Sequence, residues 1–188
     1  MTETNTSGII TAAADIIAGS FNALPKRVCN QHKFSDYADY LRENLPAQAE
    51  LDLQREKPLN PAPLVSVAIA CSGASRAAVR STLEALGKQT YANFEVCVVS
   101  ELAQAGLTDY EGIPKFRLVL FNGTAHEQLK AAEKMLNGAY FLQLLPGDLP
   151  APDALHMLVL QTHANPEAEV VFADEDSVID GIRQNPIF

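Results

Sequence analysis

The sequence predicts an α/β domain built on a mainly parallel sheet and preceded by helices. Two observations carry this. After Pro63, short runs rich in β-branched and aromatic residues alternate with amphipathic stretches of helical period, the pattern of strands joined by crossover helices. Before Pro58 the pattern is helical, and Pro58, Pro61 and Pro63 break it. The chain therefore divides into a helical N-terminal extension, residues 1–60, and an α/β domain, residues 61–188.

In the extension, Ile9, Ile10, Ala13, Ile16, Ile17 and Leu24 fall near one helical face, with Thr6 or Ser7 as cap. This predicts a helix over 9–24 that packs on its own domain or on a partner chain, so a homo-oligomer or partner-protein contact through the N-terminal helices is expected. Its polar face carries few basic residues, which argues against a membrane-surface helix. Phe34, Tyr37, Tyr40 and Leu41 predict a second helix over 34–45, capped by Ser35 and ended by Pro46. Residues 47–57 are polar and helix-prone.

In the α/β domain, strands are expected at Leu64–Cys71, Phe94–Val99, Phe116–Phe121, Tyr140–Leu145 and Val170–Ala173. Helices are expected at Ser75–Gln89, with Val79, Leu83 and Leu86 inward, at Ala125–Leu136 and at Pro152–Ala164. Parallel α/β sheets bind ligands beyond the carboxyl ends of their strands, near a switch in strand order. That places the candidate site among residues 72–75, 100–104, 146–148 and 174–176.

Composition narrows the function. The 188 residues are 47% hydrophobic and 20% charged, with a net charge of −9, ordinary values for a globular domain. Lys and Arg are scattered, so the basic stripe of a nucleic-acid binder is missing. Cys29, Cys71 and Cys97 match no metal spacing and read as reduced thiols. No apolar run reaches the ~18–20 residues of a transmembrane span, and Met1–Gly8 lacks the positive region of a signal peptide; a cytoplasmic protein is expected. His156 and His163 share a helix face without carboxylate or cysteine partners at zinc-ligand spacing. No G-x-S-x-G elbow and no Walker lysine pattern occurs.

Three segments carry a resemblance. Gln89-Thr90-Tyr91-Ala92-Asn93-Phe94-Glu95-Val96 follows a helix containing Ser81 and Leu83. Gly138-Ala139-Tyr140-Phe141 runs into Leu144-Leu145-Pro146-Gly147-Asp148 and then Pro152-Asp153-Ala154-Leu155. Phe172-Ala173-Asp174-Glu175-Asp176 is followed by Asp180-Gly181 and Pro186-Ile187-Phe188. Together they resemble family-two glycosyltransferases of the GT-A type, including members linked to O-antigen and related polysaccharide assembly, over roughly Tyr37 to Phe188.

The resemblance implies a Rossmann-like sheet of the GT-A type, truncated, that binds a nucleotide sugar, a UDP-sugar above all, and transfers the sugar to a polysaccharide or glycan acceptor. The family continues beyond the segment at Phe188, so the acceptor half is expected outside these residues. Glu101 falls where the family contacts the donor nucleoside. The family's first-strand motif becomes Ala70-Cys71-Ser72-Gly73. From there residues 72–75 offer backbone N–H groups to a phosphate at the following helix N-terminus, with a plain N-cap by Ser75 as the competing reading. Asp174, Glu175 and Asp176 fall at the donor pocket; a solvated turn with capping aspartates is the competing reading. The family's metal motif falls on Leu145–Asp148, where Leu145 and Gly147 replace two aspartates and Asp148 alone is left to meet Mn²⁺ or Mg²⁺. The alternative is a non-catalytic derivative of the fold that serves as a binding or assembly module.

Overall fold

The computed structural model describes residues 8–11, 37–101, 113 and 115–187. The chain order is β1 (Gly8–Thr11), α1 (Tyr37–Asn44), α2 (Gln48–Glu56), β2 (Val65–Ala70), α3 (Arg76–Leu86), β3 (Phe94–Ser100), β4 (Phe116–Leu120), α4 (Ala125–Glu133), β5 (Tyr140–Leu144), α5 (Ala154–Ala164), β6 (Glu175–Ile179) and β7 (Ile182–Ile187). A five-stranded, all-parallel sheet has the order β1-β5-β2-β3-β4. It is Rossmann-like, and helices α1 and α2 precede its central strands as expected.

The central strands β2 and β3 are buried on both faces because helices cover both. On one face Val65, Val67 and Ile69 of β2, Val96 and Val98 of β3, and Leu142 and Leu144 of β5 pack with Val79, Leu83 and Leu86 of α3 and Leu155, Leu158 and Val159 of α5. On the other, Ala68, Cys97 and Val99 meet Ala132 of α4. Ser75 caps α3, its side chain accepting from the Ala78 amide, and Thr124 and Glu127 form a reciprocal capping box on α4.

Polar residues fix the sheet's amino-terminal side. Glu95 is 1% exposed, yet its carboxylate accepts from Ser66 Oγ at 2.8 Å and from the Asn137 amide at 2.6 Å, and pairs with Arg117 at 3.2 Å. Such partners are what make a buried carboxylate tolerable. The Gly138 amide donates to Ser66 Oγ at 2.7 Å. A Cβ at Gly138 would lie 2.5 Å from that hydroxyl and 2.7 Å from Leu64 O, so only glycine fits this approach.

The Gln89–Glu95 segment leads into the start of β3 on this same side. Gln89 Nε2 donates to Ala151 O at 2.7 Å while its Oε1 accepts from the Leu155 amide at 3.0 Å. The Thr90 hydroxyl donates to Gln54 of α2, the Tyr91 hydroxyl to Pro63 O, and the Asn93 amide side chain to Ala62 O. The residues of this segment thus bind the ends of α2, β2 and α5.

Two expectations change. Gly8–Thr11 does not begin a helix; it lies parallel to β5, with Gly8 opposite Tyr140 and Thr11 opposite Gln143. Ile9, Ile10 and Thr11 are β-branched and the free edge of β5 offers a ladder, which outweighs the helical spacing. The remainder of the expected first helix, and Phe34 and Ser35 of the second, lie outside the described residues. Val170–Ala173 is not a strand either. Val170 and Phe172 stay more than half exposed, and pairing begins at Glu175, in an antiparallel hairpin of β6 with β7. Its turn has Asp180 and Gly181 both at positive φ, 52° and 78°, the hairpin geometry that Asp-Gly favours.

Candidate functional site at the strand ends

The chain steps from β2 to β3 to β4 in one direction and then returns to place β5 on the other side of β2. The switch point therefore lies between the carboxyl ends of β2 and β5, the usual crevice of such sheets. On its β2–β3 side, Ser72 Oγ donates to Glu101 Oε1 at 3.4 Å, and both residues are exposed. The fold thus joins two of the predicted site residues on neighbouring strand ends, beside the capped N-terminus of α3. Of the residues after Glu101, 102–104 lie outside the described set.

On the β5 side, Leu145–Asp148 folds into a tight loop. The Asp148 carboxylate accepts from the Leu145 amide at 2.6 Å and the Asp148 amide donates to Leu145 O at 3.0 Å. Gly147, at φ +104°, turns its amide into α3, toward Thr82 Oγ1 at 2.9 Å and Ala78 O at 3.1 Å. Partial burial holds the Asp148 carboxyl above its ordinary range, and the Leu145 hydrogen bond opposes that shift. For a divalent ion the loop offers one carboxylate, with one oxygen already engaged. Among the described residues no group of three His, Cys, Asp or Glu side chains comes together to hold a metal. The described side chains of this loop do not by themselves make up a site for a protein-held ion.

Asp174, Glu175 and Asp176 stand elsewhere, at the start of β6 and against α1. One Asp176 oxygen accepts from both the Tyr37 hydroxyl and Arg183 Nε, the latter at 2.6 Å. Asp176 therefore pins the hairpin to α1. Burial and the neighbouring carboxylate raise the Tyr37 hydroxyl well above its ordinary range. Asp174 and Glu175 line an open cleft of about 150 Å³ with Tyr37, Tyr40, Asn44 and Arg183, below the roughly 300–1,000 Å³ of a typical ligand pocket. Desolvation at the cleft raises the Asp174 carboxyl. Among the described residues no hydrogen bond or ion pair joins these acids to Ser72, Glu101 or Asp148.

Sequence reasoning did not foresee Tyr37 and Arg183 as partners of Asp176. Tyr37 read as a packing aromatic at helical spacing, and Arg183 drew no attention. The available signal was Asp180-Gly181 between Val178-Ile179 and Ile182: a hairpin there sets Arg183 back beside β6.

No protein-family model matches the chain. It is 31% identical over 127 residues to the uncharacterized protein y4gI of Sinorhizobium fredii, an alignment covering 63% of this chain. Among solved structures, S. aureus TarS 1-349 superposes with a TM-score of 0.47 at 17% identity, over 54% of this chain and 33% of that one. A second S. aureus TarS structure gives 0.45 at 17% identity, over 54% and 19% of the respective chains. The chain spans 14% of the length of the y4gI protein it matches.

Proposed function

We propose that this chain is the donor-binding half of a glycosyltransferase similar to family-two enzymes, taking a nucleotide sugar, a UDP-sugar above all, at the carboxyl ends of β2 and β3. The observation that carries the reading is the pairing of Ser72 with Glu101 beside the switch point. Glu101 supplies an acceptor for nucleoside hydroxyl or imide groups. Residues 72–75, leading into the capped start of α3, supply backbone N–H groups for a diphosphate. In this reading the glycan acceptor supplies the attacking hydroxyl, and the base that takes its proton is not among the assigned residues.

A second reading, a non-catalytic module of the same ancestry, is favoured by one observation: the Leu145–Asp148 loop hydrogen-bonds to itself and to α3. Calorimetric titration with UDP and GDP, with and without Mn²⁺, separates the two. Saturable UDP binding that Glu101→Ala weakens tenfold or more supports the donor-binding reading. No binding by folded protein supports the module.

A further inference from the structure

We propose that Asp148 is the lock of the loop after β5, and that this loop takes its shape without a divalent ion. Asp148 is the one carboxylate in a segment whose position in the fold would suit a metal, so the two roles compete for the same side chain. The hydrogen bonds decide between them. The carboxylate spans the loop to the Leu145 amide at 2.6 Å, and the return bond from the Asp148 amide to Leu145 O closes the turn at 3.0 Å. A charged acceptor on a backbone amide makes a strong bond of this kind.

The turn is in turn fastened to α3. Thr82 is fully buried; its Oγ1 accepts from the Gly147 amide at 2.9 Å and lies 3.3 Å from Ala78 O and 3.4 Å from Leu145 O. Both oxygens are within reach of its single proton. Gly147 reaches this position through its positive φ. A metal drawing on Asp148 Oδ2 would compete with the Leu145 amide for that oxygen. The flanking side chains add no oxygen: Leu145 and Leu149 are 56% and 53% exposed, and Gly147 has none.

The test compares Asp148→Asn with Asp148→Ala. Asparagine keeps an oxygen that can accept from Leu145 but loses the anion a metal needs; alanine loses both. Thermal midpoints are read in EDTA and in Mn²⁺, and Mn²⁺ alone is titrated calorimetrically. The lock requires a wild-type midpoint that does not differ between EDTA and Mn²⁺, a nearly unchanged Asn variant, and an Ala variant lower by roughly 3–10 °C. If the Ala variant does not fold, the Asn variant carries the comparison.

Saturable Mn²⁺ binding that both substitutions abolish, or a wild-type midpoint raised by Mn²⁺ and lost in the Asn variant, would overturn the proposal. So would an Ala variant as stable as wild type. None of these readouts needs a nucleotide, so failure to bind UDP would sink the donor-binding reading and leave the lock standing.

Discussion

The Glu95 carboxylate and the Asn137 backbone amide meet at 2.6 Å although the residues lie 42 positions apart. This bond ties the start of β3 to the lead-in of β5, with Ser66 of β2 between them. Glu95→Ala would leave the Ser66 hydroxyl and the Asn137 amide without this acceptor, while Arg117 keeps its hydrogen bond to Met135 O. Arg117 stays partly exposed to water, so the loss comes mainly from the two orphaned donors, about 1–3 kcal/mol each. Glu95→Gln keeps an acceptor and should lose less. Urea unfolding of both variants checks the order, and equal losses would contradict it.

Gly138→Ala should destabilise by about 2–4 kcal/mol, because the new Cβ lies 2.5 Å from Ser66 Oγ and 2.7 Å from both Leu64 O and the Ser66 amide. Two of those atoms are backbone. Adding Ser66→Ala should therefore recover little, and full recovery in the double variant would show that the hydroxyl alone set the limit.

Tyr37→Phe removes one of two donors to Asp176 while Arg183 remains. Hydrogen exchange over residues 175–187 should accelerate several-fold, and the global urea midpoint should move little. Arg183→Ala should accelerate the same segment. Exchange that stays at the wild-type rate in both variants would free the hairpin from α1.

His156 on α5 is 8% exposed. Desolvation lowers its pKa below the ordinary 6.5, against the opposing pull of Asp153 and Glu50. The unfolded chain therefore takes up this proton first as pH falls. Stability should decline from about pH 6.5 downward until the folded protein also protonates. Asp148 and Asp174, with raised values, act with opposite sign from about pH 3.8 upward. Urea midpoints between pH 5 and 8 should be flatter for His156→Gln than for wild type. Identical slopes would remove His156 as the source.

The strands and helices from Val65 to Ala164 were legible because the strands are short, nearly continuous apolar runs separated by longer helix-prone stretches, and the caps at Ser75 and Thr124 agree with that reading. The segment around Gln89–Val96 was legible as a family signature, but its side chains hold backbone: Gln89 on Ala151 and Leu155, Asn93 on Ala62, Glu95 on Asn137. A segment whose polar groups lock a fold says little of chemistry. The edge strand at Gly8–Thr11 was hidden because a short β-branched run takes its state from an available ladder, which local spacing does not reveal. The Asp174–Asp176 cluster was visible, but the tie of Asp176 to Tyr37 of α1 and Arg183 of β7 depends on a hairpin and a long-range contact that local spacing does not reveal.

The sheet order has a consequence for the time at which the protein becomes itself. β2, β3 and β4 leave the ribosome in succession and find their neighbours at once, but β5 belongs beside β2. Until residues 137–144 arrive, a few seconds later at roughly 5–20 residues per second, β2 has an open edge on that side and Glu95 keeps its water. The loss of that water is deferred to the docking of β5, when Asn137, Gly138 and the apolar strand arrive together. A nascent chain halted before Asn137 should therefore bind a chaperone that recognises open strand edges more strongly than one that has passed Ala164, where α5 completes the core.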